Sequence, residues 1–271
     1  MSIPDSGDFD HARAPYPAPQ TTPPTGPARL FRWYDLLWMG LILILSQAPG
    51  VIAGIVVGML GVVTVETLQT EGLPAYVIIV AMVGSGIVMF LGCILLRRKR
   101  RIDWAALGVR PTTVWPLIAA VLSFVVYIVI TESISRFVEI DPDGELARQL
   151  AQQLVPPGAS LPYIIVAVAF AGVIVPIAEE LLFRGFLITW LRERSNAIVA
   201  VIISSLLFSG VHGYFLLPES EFGIFASIGI FLLGLLLGWL AVWSRSLWPP
   251  IVLHMTNNLV VVAVAIWGAP V

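Results

Sequence analysis

Three short stretches of this chain set chemically capable side chains at helical spacing. The first, Pro176-Ile177-Ala178-Glu179-Glu180-Leu181-Leu182-Phe183-Arg184, puts two carboxylates and a guanidinium inside an apolar run. Neighbouring residues on a helix point about 100° apart, so Glu179 and Glu180 cannot share one partner. Glu180 and Arg184 are i,i+4 neighbours and can pair along the helix. Glu179 is left without a local counter-charge. The second stretch, Phe208-Ser209-Gly210-Val211-His212, places Phe208 and His212 on one face. The third, His254-Met255-Thr256-Asn257-Asn258, does the same for His254 and Asn258. A glutamate, two histidines and an asparagine can supply a proton acceptor and hydrogen-bond donors to one site. The same residue types also make plain interhelical hydrogen bonds, and a Glu/Arg pair also suits a helix end that meets water.

What must position these residues is a membrane bundle. Of the 271 residues 58% are hydrophobic and 12% charged, with 15 Lys and Arg against 17 Asp and Glu. Soluble domains carry about 25% charged residues, roughly twice this share. The mean hydropathy of +0.92 agrees. This composition excludes a soluble enzyme, and the net charge of −2 gives no basic footprint for nucleic acid. The single cysteine, Cys93, excludes an internal disulfide and a four-cysteine zinc site. Charged groups inside a bilayer cost about 2.5–3.5 kcal/mol each on insertion scales. The few that interrupt apolar spans therefore carry the information.

The fold class expected is all-α: a polytopic transmembrane helical bundle of seven or eight spans. Residues 1–30, Pro-rich and including His11, read as a disordered cytoplasmic tail. Residues 31–113 read as N-terminal transmembrane helices with a basic loop, and 114–271 as a helical core carrying the three stretches. Apolar runs fall at 34–65, 75–96, 114–133, 161–191, 197–212, 222–243 and 247–267. The first contains Pro49-Gly50 and is one kinked span or two pieces. Residues 135–160 read as a polar loop bearing Glu139, Asp141, Asp143 and Glu145. Pro176 is expected to free the Gly172 carbonyl and bend the fourth span. Loop charge sets orientation. Arg97-Arg98-Lys99-Arg100-Arg101, Arg192 with Arg194, and Arg245 fall on one side, assigned to the cytoplasm. The opposite loops hold Glu66, Glu71, the 139–145 run, Glu219 and Glu221. A multi-pass prokaryotic plasma-membrane protein with a cytoplasmic N-terminus follows.

Counted from the cytoplasmic ends at 1.5 Å per residue, Glu179 lies about 18 Å deep, His212 about 22 Å, and His254 and Asn258 about 10 and 16 Å. Residues from three spans can thus meet in one polar cavity. Gly234 and Gly238 form a Gly-x-x-x-Gly spacing suited to close helix packing.

Glu-Glu-x-x-x-Arg at 179–184, Phe-x-x-x-His at 208–212 and His-x-x-x-Asn at 254–258, in that order, resemble the CPBP intramembrane proteases. That group holds the type II CAAX prenyl endopeptidases with abortive-infection and bacteriocin-processing proteins. The Ser-Leu-Trp-Pro-Pro-Ile run before His254 resembles the family's approach to its last motif, and Leu107-Gly108-Val109-Arg110 a short stretch found upstream. The resemblance implies an intramembrane endopeptidase acting on a membrane-associated or lipid-modified substrate. It implies Glu179 as general base and His212 as the holder of the attacking water. It implies His254 and Asn258 as oxyanion donors, with Glu180, Arg184 and Phe208 in support. Its implied partners are the lipid bilayer and a peptide or prenylated-protein substrate.

The cofactor is open at this point: none, or one divalent metal such as zinc held by Glu179, His212 and His254. His-Glu-x-x-His is absent, which sets the site apart from zincins. A rhomboid-like serine site lacks its Gly-x-Ser-Gly turn, and a two-aspartate protease finds only Asp35 at a span edge. Two alternatives of other classes stand beside the protease: a non-catalytic membrane scaffold or immunity protein, and a proton- or cation-coupled transporter. No internal repeat supports the transporter.

Overall fold

The computed structural model describes residues 29–62, 74–140, 145–214 and 221–267. The Pro-rich segment with His11, and Glu66, Glu71, Asp141, Asp143 and Glu219, lie outside the described residues. Everything described is helix, turn or connection, with no strand among the described residues. The helices are α1 (Asp35–Met59), α2 (Ala75–Arg100), α3 (Val114–Phe137), α4 (Glu145–Leu154), α5 (Leu161–Arg192), α6 (Ala197–His212), α7 (Glu221–Ser244) and α8 (Trp248–Trp267). Six of them are long and apolar enough to cross a membrane: α1, α2, α3, α5, α7 and α8. Helix α6, with 16 residues, is shorter but apolar throughout. At 1.5 Å per residue it extends about 24 Å, so it supplies a seventh crossing. The molecule is an integral, multi-pass membrane protein.

Over its described residues the first apolar run forms one helix, Asp35–Met59, with Pro49 inside it. Pro49 rests directly on Gly84 of α2, and a Cβ on Gly50 would stand 2.7 Å from the Ala81 Cβ. The Pro-Gly pair is therefore a close-contact point between α1 and α2, not a break. The Gly234/Gly238 spacing is likewise used inside the bundle. A Cβ there would come within 3.1 Å of Ser205 and 2.9 Å of Val201 on α6.

The polar loop expected at 135–160 needs correction. Helix α3 runs on to Phe137, and α4 forms within the supposed loop. The acidic residues of this stretch concealed an apolar pattern. Ala147, Leu150, Ala151 and Leu154 stand at i, i+3, i+4 and i+7, one face of a helix. Helix α4 packs against α8 and α2.

Local signals fix the ends near the site. The Asn196 side chain accepts from the Val199 N–H at 2.9 Å and starts α6. Gly213, at φ 72°, ends it one residue beyond His212. On the basic side, Gly108 adopts φ 85° and its carbonyl accepts from the Leu247 N–H at 2.9 Å, which fixes the start of α8. The fully buried core lies between α5, α6, α7 and α8, around Phe183, Phe208, Leu237 and Leu253.

Candidate active site

Helix α5 is not a uniform α-helix. It opens into wide π-helical turns at Phe170–Ile174 and Leu181–Leu187, on either side of the α-helical Val175–Glu180. Such turns recur at functional sites because they re-aim side chains. Pro176 explains part of the arrangement, with a correction. The Val175 N–H bonds to the Phe170 carbonyl, five residues back. In that register the partner for the Ala171 carbonyl is residue 176, and a proline has no N–H to give. The carbonyl of Ala171 is therefore left free within the helix, one residue before the Gly172 carbonyl expected from the sequence. Asn258 of α8 supplies the missing donor, with its Nδ2 at 2.9 Å. The Asn257 amide bonds in turn to Asn258 Oδ1 at 3.3 Å.

One turn further along α5, Glu180 and Arg184 pair at 2.9 Å, both side chains fully buried. Arg184 Nη2 also donates to the Gly234 carbonyl at 3.3 Å. The same Glu180 oxygen accepts from His254 Nδ1 at 2.8 Å. This oxygen therefore joins α5 to α8 and fixes the orientation of the imidazole. A carboxylate can only accept, so Nδ1 carries the proton of that bond. The other ring nitrogen, Nε2, faces Glu179 Oε2 at 3.5 Å. Glu179, without a counter-charge on its own helix, finds its partner across the interface, and the expectation that the two carboxylates cannot share one is corrected: the two nitrogens of the His254 ring, about 100° of helix turn notwithstanding, reach both. Two carboxylates and one guanidinium leave a net charge of −1.

His212 approaches from α6. Its Nδ1 donates to the Phe208 carbonyl at 2.7 Å, which leaves Nε2 as a free acceptor. Phe208 sits at the centre of the group. Its ring meets His212 edge-on at 4.8 Å, His254 at 5.5 Å and Phe183 at 5.2 Å between centroids. The Arg184 guanidinium lies 4.3 Å over it. It keeps the two imidazoles apart while shielding the ion pair.

Two cavities meet at this cluster. A larger one, about 480 Å³, is lined by His212, His254 and Asn258 along with α3, α4 and α7. A smaller one, about 200 Å³, is lined by Glu179, His212, Gln47 and Ser85. His212 borders both. All the expected site residues are thus within one neighbourhood. Sequence reading missed Gln47 and Ser85, which lie on α1 and α2, outside any motif. The available signal was general: polar side chains within otherwise apolar spans.

Among the described residues no three His, Cys, Asp or Glu side chains gather closely enough to hold a metal ion. As arranged, Glu179, His212 and His254 do not form such a group, each imidazole holding its Nδ1 in a hydrogen bond.

Residues 161–260 match a protein-family model, type II CAAX prenyl endopeptidase Rce1-like. The matched stretch runs from the start of α5 into α8 and contains all three motifs. No curated protein and no solved structure matches the chain.

Proposed function

We propose that this chain, whose residues 161–260 carry the match to the CPBP intramembrane protease family, hydrolyses a peptide bond of a membrane-associated or lipid-modified substrate with a water activated by Glu179. The observation that carries the reading is the opposition of Glu179 to a His254 that Glu180 holds in place.

Glu179, 13% exposed and facing the smaller cavity, is the base. His212 accepts a hydrogen bond from the same water through its free Nε2. As the water attacks the substrate carbonyl, its oxygen bonds to the carbonyl carbon and its proton passes to Glu179. The carbonyl oxygen becomes an oxyanion. Doubly protonated His254 donates to it from Nε2, and Asn258 donates the amide hydrogen not used on Ala171. Collapse of the intermediate breaks the C–N bond, and Glu179 returns its proton to the leaving amine. Glu180 and Arg184 touch no reacting atom; they hold His254 in position and balance its charge. Donors fixed in advance in a dry site are worth most at this step.

The test is cleavage of a peptide library, including farnesylated peptides, by the full chain in lipid. Wild type runs beside Glu179→Ala and His212→Ala, each with and without chelator. Loss in both variants is expected. Cleavage that survives Glu179→Ala overturns the mechanism, and loss on chelation would call for a divalent metal such as zinc.

A further inference from the structure

The smaller cavity reaches back to α1 and α2, outside residues 161–260. Three i,i+4 pairs line it: Leu43 with Gln47, Met89 with Ser85, and Phe183 with Glu179. In each pair the apolar member stands one turn nearer the basic end of its helix, and the polar member one turn deeper. At 1.5 Å per residue, Gln47 lies about 18 Å from the start of α1 and Ser85 about 22 Å from the end of α2. Glu179 and His212 stand at matching depths. The result is a polar layer of Gln47, Ser85, Glu179 and His212 over an apolar one. Close contacts fix this geometry. Gly84 seats Pro49 of α1, and a Cβ on Gly86 would stand 3.1 Å from Val175 Cγ2 of α5. Ser85, between the two glycines, therefore points into the angle between α1 and α5.

What this polar layer lacks is protein partners. Ser205 and Ser244 return their hydroxyls to carbonyls four residues back, at 2.7 and 2.6 Å. The Ser85 hydroxyl has no hydrogen-bond partner among the described residues. The Gln47 amide has only its neighbour Ser46 Oγ, at 3.3 Å, and its Oε1 accepts from none of the described residues. His212 Nε2 is a free acceptor at the same level. Such groups at mid-bilayer depth are costly unless something polar meets them. A space of about 200 Å³ holds several waters, and a bound water needs about two to four polar partners. The division of the site points the same way. Glu179 lines the smaller cavity, His254 and Asn258 line the larger, and His212 borders both.

We propose that the smaller cavity is the water site of the reaction. Gln47 and Ser85 hold the water that Glu179 activates and those that replace it, while the larger cavity receives the peptide. The proposal rests on the proteolytic reading above and adds to it two residues that bind the second substrate, water. Base and oxyanion donors then act from opposite cavities. Water attacks from one side of the scissile carbonyl, and the oxyanion forms on the other.

The test has two readouts, both on the full chain in lipid. The first is steady-state cleavage of a library peptide by wild type, Gln47→Leu, Ser85→Ala and the double variant. Misplaced water slows the chemical step and spares peptide binding. In the double variant kcat should fall about 10²-fold with KM within about twofold. Each single variant should fall less, and serves where the double does not fold. Ser85→Thr, which keeps the hydroxyl, should retain most of the rate. An unchanged kcat overturns the proposal. So does a raised KM at constant kcat, which would put the peptide on these side chains. The second readout needs no cleavage. A millisecond X-ray pulse turns bound water into hydroxyl radicals, and mass spectrometry locates the oxidised side chains. Met89 is 2% exposed and lines the smaller cavity, so its oxidation reports water held there. Oxidation in wild type and its loss in the double variant are expected. No oxidation in wild type, or equal oxidation in both, sinks the proposal. Oxidation that depends on Gln47 and Ser85 in a chain that cleaves no peptide refutes the protease and leaves the water site standing.

Discussion

Among the described residues, two carboxylate–guanidinium pairs with a fully buried carboxylate are finished differently. Near the basic face, Asp35 of α1 accepts from Arg100 Nε at 2.7 Å and Nη2 at 2.5 Å, and from the Arg32 N–H at 2.8 Å. The guanidinium lies 4.8 Å over the Tyr34 ring. Both Asp35 oxygens are used, and the pair clamps α1 to α2. In the middle of the bundle, Glu180 pairs with Arg184 and His254 through one oxygen only. Glu180 Oε2 and Arg184 Nε are buried without a partner. The first pair is saturated and structural. The second keeps unused bonding capacity beside two cavities. Satisfied polar clusters rigidify, whereas unsatisfied ones are costly to keep and mark places where chemistry or a ligand is expected.

The largest break in that contrast should come from the proposed base. Glu179→Gln keeps the shape and removes the proton acceptor. Cleavage should fall by about 10²–10⁴-fold, the usual worth of a general base. Thermal unfolding should move little, since Glu179 makes no short bond. An intact rate with a lowered melting temperature would reverse the assignment.

Asn258→Ala removes both an oxyanion donor and the partner of the Ala171 carbonyl. A fall in kcat of about 10²–10³-fold is expected from the lost donor. A stability loss of about 1–3 kcal/mol is expected from the orphaned carbonyl, read by unfolding in detergent. Activity loss without destabilisation would deny the anchoring role.

Asp35→Asn should show the opposite balance. It costs a charged hydrogen-bond network worth about 2 kcal/mol, lowering the melting temperature by several degrees. The rate per folded molecule should stay within about twofold, because Asp35 lies far from both cavities. A large drop in kcat would mean the clamp reaches the site.

The smallest effect expected is that of a chelator. With no three-ligand cluster among the described residues, dialysis against one should leave the rate unchanged. Metal-restored activity would overturn this.

The crossings were legible from composition because length and apolarity alone define a span. Ala197–His212 coincides with its expected limits, since Asn196 and Gly213 are plain start and stop signals. The pairing of Glu180 with Arg184 followed from i,i+4 spacing. What the sequence concealed were the contacts between helices. Nothing local says that Glu180 reaches a histidine 74 residues away, or that Glu179 meets the same ring. The π turns were also invisible, because no residue propensity marks them. Helix α4 was missed because charge was weighed above periodicity. The Gln47 and Ser85 side chains were missed because one polar residue per span has no pattern.

The bond from Asn258 to Ala171 has a consequence for how the protein is made. Helix α5 enters the bilayer with an unpaired carbonyl two turns before two acidic residues, and the ribosome delivers its donor 87 residues later, on α8. Until then the growing chain holds a polar defect and half a site. The helix that mends the defect also brings His254 and Asn258. Closing the membrane core and completing the proposed site are therefore one event, and a chain halted before α8 has neither.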